Sequence, residues 1–277
     1  MARPHKLERP NVMGAAFAWL WLAIIVLPIY YMVITSFGTQ GDYYASNPFL
    51  PPADPTVAAY RTVLENDFLR YLGNSLVVTG GAVGLLLIVC TAASYFVVRS
   101  RSWASRRFLQ LVLLGLAIPA QATIVPLYWM ITKMGLYDHL IALVLPAAAF
   151  EVPITVLILT NFMRDIPKEL FESMTVDGAG DMKILMRLVL PLAKPAVITV
   201  GIYDALQVWN GFLFPLVLTG RPQVRVLPYS LFEFQASHGI DTPAVLASVV
   251  LSALPILAAY IVGRRYLVAG LTAGFGK

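Results

Sequence analysis

The sequence predicts an all-α protein that crosses a membrane six times, and three observations lead to this prediction. Of the 277 residues, 58% are hydrophobic and 13% are charged, with a mean hydropathy of +0.74, whereas soluble domains carry about 25% charged residues. Six apolar runs are each long enough to span, because roughly 20 helical residues cross a bilayer core. Lysines and arginines are concentrated in alternate connecting segments, a distribution that fixes the orientation of membrane proteins.

The first two spans are predicted at residues 15–37 and 74–98. A cleaved signal peptide is the alternative for the first run, but its apolar region should be about 7–15 residues long, so a retained span is expected. The intervening segment, 38–73, is polar and contains a proline-rich part followed by an amphipathic stretch. Glycine and alanine are frequent in the second span, and such small residues allow transmembrane helices to approach closely.

The remaining four spans are predicted at 108–132, 140–163, 195–218 and 243–262. Pro119 and Pro126 should break the third span, because proline lacks a backbone donor and kinks helices. A charged loop, residues 164–191, separates the fourth span from the fifth, and an outer loop, 219–242, separates the fifth from the sixth. We expect residues 1–277 to form a single transmembrane domain.

The basic residues predict the orientation of the chain. If the N-terminus is cytoplasmic, fifteen of the 20 lysines and arginines lie in cytoplasmic segments and five lie outside. This bias places both termini and the charged loop in the cytoplasm of a bacterial cell. It also accounts for the net charge of +5, so nucleic acid is not an expected partner. The single cysteine excludes an intrachain disulfide, and the three scattered histidines show no metal-ligand spacing.

The charged loop should contain two short helices. Asp165 and Pro167 signal the start of the first helix, which then carries apolar residues at helical spacing. Gly178 should end it, because glycine adopts the left-handed conformation that a helix C-terminus requires. Asp181 should cap the second helix and Pro191 should end it.

The residues of this loop also carry a family resemblance. Glu172 is followed by Ser173 and Met174, then after three residues by Gly178, and after nine more by Leu188-Val-Leu-Pro. This spacing resembles the Glu-Ala-Ala motif of ABC-importer permeases, with Ser173, Met174 and Leu188 as departures. The resemblance implies that the loop couples to an ATPase through Glu169, Glu172, Ser173, Asp177, Gly178, Ala179, Leu190 and Pro191. A helix that merely rests on the membrane surface is the alternative.

Other segments narrow the resemblance to the carbohydrate-importer permeases typified by the smaller membrane subunit of the maltose transporter. They are Asn74-Ser75, Trp209-Asn210 and the ending that begins at Gly270. The resemblance implies a type I ABC-importer permease fold and a sugar substrate. It implies four kinds of partner: a second homologous permease, two ATPase subunits that hold ATP and Mg, an extracytoplasmic sugar-binding protein and the lipid bilayer. No cofactor or catalytic activity is expected on this chain, and the sequence lacks a phosphate-binding loop of its own.

Two acids, Glu151 and Asp204, lie within predicted spans. An ionisable group at bilayer depth is costly, so it should face a cavity or a partner. Gln207, Trp209 and Asn210 follow Asp204 and combine planar polar and aromatic groups, which predicts a wall of the sugar path. A structural role for each acid remains open. An ion-coupled secondary transporter that uses Glu151 and Asp204 as its relay is the competing function.

Two further segments are expected to contact partners. In the outer loop, the resemblance implies that Tyr229, Phe232, Phe234 and Gln235 contact the binding protein. At the C-terminus it implies that Gly270, Thr272 and Gly274 reach the ATPase pair. The glycines of this tail should leave it too flexible to form a helix of its own.

Overall fold

The computed structural model describes residues 12–45, 47, 49–100, 102–230, 235–236 and 239–275, with side chains described outside 230–239 and 262–277. The α-helices of the described part are α1 Val12–Ser36, α2 Gln40–Ala45, α3 Ala58–Glu65, α4 Phe68–Ser100, α5 Trp103–Leu114, α6 Ile124–Lys133, α7 Ile141–Arg164, α8 Lys168–Val176, α9 Asp181–Ile184, α10 Leu190–Trp209, α11 Leu213–Leu218, α12 Leu227–Ser230 and α13 Thr242–Phe275. Three 3-10 turns lie at Gly115–Ala117, Ala120–Thr123 and Pro222–Val224, and a π-turn lies at Leu185–Val189. Strands β1 Gln235–Ala236 and β2 Gly239–Ile240 form one antiparallel pair.

One compact unit comprises the described residues within Met1–Asn66 and Phe234–Leu251. Its helix α1 is apolar around its circumference, and its side chains are exposed over most of its length. Gln40 connects two parts of this unit: its side-chain nitrogen donates to the Ile240 carbonyl at 2.8 Å, and its side-chain oxygen accepts from the Thr242 N–H at 2.9 Å. Helix α1 therefore presents an apolar surface suited to lipid or to another membrane helix.

The other unit comprises the described residues within Asp67–Glu233 and Ser252–Lys277. Helices α4, α7 and α10 pack against one another and supply its core. Small residues permit the close approach: a Cβ placed on Gly81 of α4 would lie 3.3 Å from Val144, and one on Gly201 of α10 would lie 3.3 Å from Leu87. Of the glycines predicted to aid packing in the second span, Gly81 therefore lies at a contact between helices, whereas Gly80 and Gly84 have no atom within 4 Å of an added Cβ.

The predicted all-α membrane fold is confirmed. Within the part of the chain that the structure describes, five helical stretches are long and apolar enough to span, namely α1, α4, α7, Asp181–Trp209 and the start of α13. A sixth span forms if Trp103–Ala117 and Ala120–Lys133, which meet at a 94° bend, cross the membrane together. The bend is at Pro119, as predicted. The predicted break at Pro126 is wrong, because Pro126 lies in the first turn of α6, where a missing N–H costs nothing.

Two predicted helix ends are also wrong. Pro191 does not end the second loop helix, since helical structure runs from Asp181 to Trp209. The wider π-turn directly before Pro191 relieves the clash that a proline ring makes with a preceding carbonyl. The C-terminal tail is helical, because α13 continues to Phe275. It extends an existing helix and so avoids the cost of nucleation.

Candidate functional site

Helix α8 presents the charged side of the loop. Phe171 is 7% exposed and anchors the helix to the core, whereas Leu170 is 40% exposed. Glu169, Glu172 and Ser173 are exposed. The buried apolar face of α8 is therefore narrower than the sequence spacing predicted. The carboxylates of Glu169 and Glu172 both remain accessible to a partner protein.

A left-handed turn at Gly178 ends α8. The Gly178 N–H donates to Thr175 O at 3.0 Å, and the Ala179 N–H donates to Met174 O at 2.9 Å, which is the Schellman pattern. Gly178 has φ +75°, and a Cβ there would meet no atom within 4 Å. Glycine is thus required for backbone conformation and not for space. Asp177 is exposed beside the turn, and Ala179 is buried.

Polar contacts tie this loop to the end of α4. The Asp181 carboxylate accepts a hydrogen bond from the Tyr95 hydroxyl at 2.9 Å and from Arg99 Nε at 3.4 Å. Arg99 Nη2 also donates to Thr175 Oγ1 at 3.2 Å. Arg99 therefore contacts both short helices at once. Sequence reasoning missed this link, because it took Arg99 only as a topology marker.

The N-cap of α9 is Gly180, and no side chain caps this helix. The prediction that Asp181 caps it is wrong, since its carboxylate is used by α4 instead. Leu190 is half-buried and Pro191 is exposed on the continuous helix that follows.

Apolar side chains are exposed around the same loop. Val176 is 87% exposed, Met182 is 70% exposed and Met186 is 57% exposed. Exposed apolar groups gathered beside carboxylates are typical of a surface that contacts another protein.

Asp204 lies inside the core. Its side chain is 0% exposed, and the Thr155 hydroxyl on α7 lies 3.0 Å from each carboxylate oxygen. One hydroxyl proton is shared between two acceptors, so this contact joins α7 to α10 at a fully buried point.

A separate cavity of about 80 Å³ brings together three of the predicted path residues, Glu151, Gln207 and Trp209. Ser75, Thr79, Phe150 and Phe214 also line it. The Trp209 indole N–H donates to Ser252 O at 3.3 Å, so this ring also packs α10 against α13. Neither Asp204 nor Asn210 is among the lining residues, and the Asn210 amide donates to Leu206 O on its own helix.

The outer loop is tied to the helix ends by two groups of hydrogen bonds. Asn74 Nδ2 donates to the carbonyls of Gln223 at 2.9 Å and Arg225 at 2.8 Å, and Ser75 Oγ accepts from the Leu227 N–H at 2.9 Å. The Asp138 carboxylate accepts from the N–H groups of Gly220 and Arg221 and pairs with the Arg221 guanidinium. Burial alone would raise the Asp138 pKa, but these hydrogen bonds and the guanidinium charge outweigh it, so the pKa lies below its usual value.

The predicted contact residues of the outer loop and tail are described only in part. The Arg225 guanidinium lies 4.8 Å from the centre of the Tyr229 ring. Gln235 lies in β1, while Phe232 and Phe234 are outside the described residues. Gly270, Thr272 and Gly274 lie within α13.

Comparisons with known proteins agree with this arrangement. Residues 84–268 match the family described as "Binding-protein-dependent transport system inner membrane component". The ABC transporter permease protein ORF2 of Caldicellulosiruptor sp. (strain Rt8B.4) is 40% identical over 94% of this chain and 95% of its own. The diacetylchitobiose uptake system permease protein DasC of Streptomyces coelicolor is 32% identical over 91% and 92%.

The fold is shared with a bacterial ABC transporter involved in the import of the acidic polysaccharide alginate. That crystal structure superposes with a TM-score of 0.80 at 22% identity and covers 95% of this chain and 99% of its own. The family match covers more than half of the sequence, and the relatives align over nearly all of it. The chain therefore belongs to the family of inner-membrane components of binding-protein-dependent transport systems, as a multi-pass protein of the cytoplasmic membrane.

Proposed function

We propose that this chain is one of two permease subunits of an ATP-driven importer for a sugar or oligosaccharide, with both termini in the cytoplasm. Its partners are a second homologous permease, two cytoplasmic ATPases and an extracytoplasmic sugar-binding protein. The observation that carries this proposal is the loop 164–191, whose exposed carboxylates and apolar groups surround a turn joined to α4. The sugar class is supported by the name of a relative, the diacetylchitobiose uptake system permease protein DasC.

The mechanism is conformational. ATP and Mg would be held by the ATPases, and this chain contributes no catalytic group. When the ATPases close, they displace α8, and Arg99 transmits the displacement to α4 through Thr175 and Asp181. Differential binding of the two states by ATP and by the loaded binding protein shifts the population between inward-open and outward-open forms.

The sugar path would pass the cavity that contains Glu151 and Gln207. These groups supply hydrogen-bonding atoms, and the rings of Phe150 and Phe214, 5.3 Å apart, supply apolar faces. At about 80 Å³ the cavity holds only a few water molecules, so a sugar would require the helices to separate. Asp204 and Asn210 are bonded to other residues of this chain, which favours supporting roles for both.

The ion-coupled alternative uses Glu151 and Asp204 as a relay. Full burial of Asp204 against Thr155 suits a structural acid better than a group that exchanges ions with water. That alternative also gives the cytoplasmic loop no role.

Two further segments would contact partners of the importer. The binding protein would contact Tyr229, Phe232, Phe234 and Gln235 of the outer loop, and the ATPases would contact Gly270, Thr272 and Gly274 of the tail.

Copurification and transport test the proposal. We expect the tagged chain, extracted in mild detergent, to retain a second permease and an ATPase. In proteoliposomes, the loaded binding protein should stimulate ATP hydrolysis and sugar uptake. Uptake driven by an ion gradient without ATP, with no ATPase retained, would refute it.

A further inference from the structure

A basic cleft of about 610 Å³ opens between the charged loop 164–191, the coupling loop of the proposed mechanism, and the ends of α4 and α5, and three of its four basic residues have no role above. It is lined by Arg99 at the end of α4, Arg106 on α5, Arg164 at the end of α7 and Lys168 at the start of α8. Glu172 is the one acid among the lining residues. Four cations from four helices thus face one cavity with a single negative charge.

The cations of this basic cleft are mostly unpaired within the described part of the chain. Arg99 contacts Asp181, but Arg106, Arg164 and Lys168 have no acidic group within ion-pair distance among the described residues. Like charges held around one cavity repel one another. Binding an anion there would relieve this repulsion.

The position of the cleft indicates which anion. Trp103 is 67% exposed, it lies one turn before Arg106, and Arg107 lies 5.4 Å from its ring centre. Tryptophan and arginine at a helix end are typical of the membrane–water interface. Phe96 and Phe108 are also exposed close by and contact each other edge to face. The basic cleft therefore lies at headgroup depth, next to a surface on which acyl chains can pack.

We propose that the basic cleft binds the phosphate of an anionic phospholipid from the cytoplasmic leaflet. Its cytoplasmic location rests on the proposed function. Basic pockets between helices on that side of a membrane recognise such headgroups. The bound phosphate bridges α5, α7 and α8 and so holds α8 beside the ends of the other two helices. The membrane thereby becomes a fourth contact of the loop, beside α4, the core and the ATPase.

The test uses the full complex, reconstituted with phosphatidylcholine and a minor fraction of phosphatidylglycerol, then extracted and examined by native mass spectrometry. The variant Arg106→Gln/Arg164→Gln should retain at least about tenfold less phosphatidylglycerol than the native chain, since each basic residue near a membrane surface contributes to anionic lipid binding. The control is Arg187→Gln/Lys194→Gln, which removes the same charge at exposed positions outside the lining of the cleft and should retain the lipid. Equal retention in both variants would overturn the proposal.

A second measurement uses the unmodified complex, in case the double variant does not fold. Short-chain phosphatidylglycerol should raise the thermal midpoint, whereas inorganic phosphate or short-chain phosphatidylcholine at the same concentration should not. An equal rise with phosphate would make the site one for free anions and refute lipid binding. Loss of the ATPase from the double variant in phosphatidylcholine alone would assign the cleft to the ATPase instead. Copurification of the native complex tests the importer function separately.

Discussion

The coupling loop and the middle of the helix core place their charged residues in opposite environments. In the loop, Glu172 is exposed, and the polar contacts of Arg99 lie near the surface. In the core, Asp204 is fully buried against Thr155. A change in the loop should therefore alter communication with a partner, while a change in the core should alter stability. An importer needs both, since a rigid core can transmit displacement from a loop that remains accessible.

The largest effect is expected at Glu172. Glu172→Lys should leave membrane insertion intact and lower sugar uptake at least about tenfold, because a reversed charge at an interface suppresses the correct contact. Uptake and ATP hydrolysis in proteoliposomes provide the measurement. Glu65→Lys reverses a charge that is also exposed, in α3, and should have no effect. Normal uptake by the Glu172→Lys variant would show that Glu172 does not dock the ATPase.

The loop turn gives a sharper comparison, because two nearby exposed glycines differ in the sign of φ. Gly178 has φ +75°, whereas Gly180 has φ −72°, and neither has an atom near its added Cβ. A residue with a side chain is strained by about 1–2 kcal/mol in the left-handed region. Gly178→Val should therefore reduce the ATPase recovered on copurification, with Gly180→Val close to native and Gly178→Asn between them. Similar losses for both valine variants would contradict the turn argument.

The link from the loop to α4 should have an intermediate effect. The double variant Tyr95→Phe/Arg99→Gln removes three hydrogen bonds to Asp181 and Thr175. Each such bond contributes about 0.5–1.5 kcal/mol to stability. The number of ATP molecules hydrolysed per sugar should rise a few-fold while the complex stays assembled. Arg107→Gln, whose guanidinium lies over Trp103, is the matched control. An unchanged ratio would show that displacement reaches the spans by another route.

Core substitutions should separate stability from transport. Thr155→Val keeps the shape of the side chain but leaves the buried Asp204 carboxyl without its donor, which should cost about 1–3 kcal/mol of unfolding free energy. Gln207→Ala, at an exposed position on the cavity, should raise KM for the sugar and leave the thermal midpoint unchanged. The comparison fails if Thr155→Val changes KM without changing stability.

The smallest effect concerns Asp138 on the outer side. Its pKa lies below the usual value, so its charged form stabilises the fold, and this contribution is present above the unfolded pKa of about 3.9. This stabilisation is lost as the pH falls through the pKa that Asp138 has in the folded protein, which is the lower of the two values. Asp138→Asn should lower the thermal midpoint at neutral pH, and the difference from the native chain should shrink at strongly acidic pH. A difference independent of pH would argue against a charge effect.

The sequence predicted the loop more fully than the cavity, because the contacts of the loop turn join residues that are close along the chain. The Gly178 turn is formed by hydrogen bonds to residues three and five positions earlier, so a local pattern carries it. The contacts of Asp138, Tyr95 and Asp204 join residues 83, 86 and 49 positions apart. No local spacing indicates such partners. The same limit explains the helix ends placed wrongly at Pro191 and in the tail, where the neighbouring helix decides whether helical structure continues.

By itself the sequence determined the membrane class, the apolar runs, the charged loop and its motif, because each depends on composition or on neighbours along the chain. Only the tertiary structure decided that Asp204 pairs with Thr155 while Glu151 and Gln207 share a cavity. It also decided that Arg99 joins both loop helices and that four basic residues meet in one cleft. These arrangements depend on how α4, α5, α7, α8 and α10 pack, and packing is set by side chains that are distant in sequence.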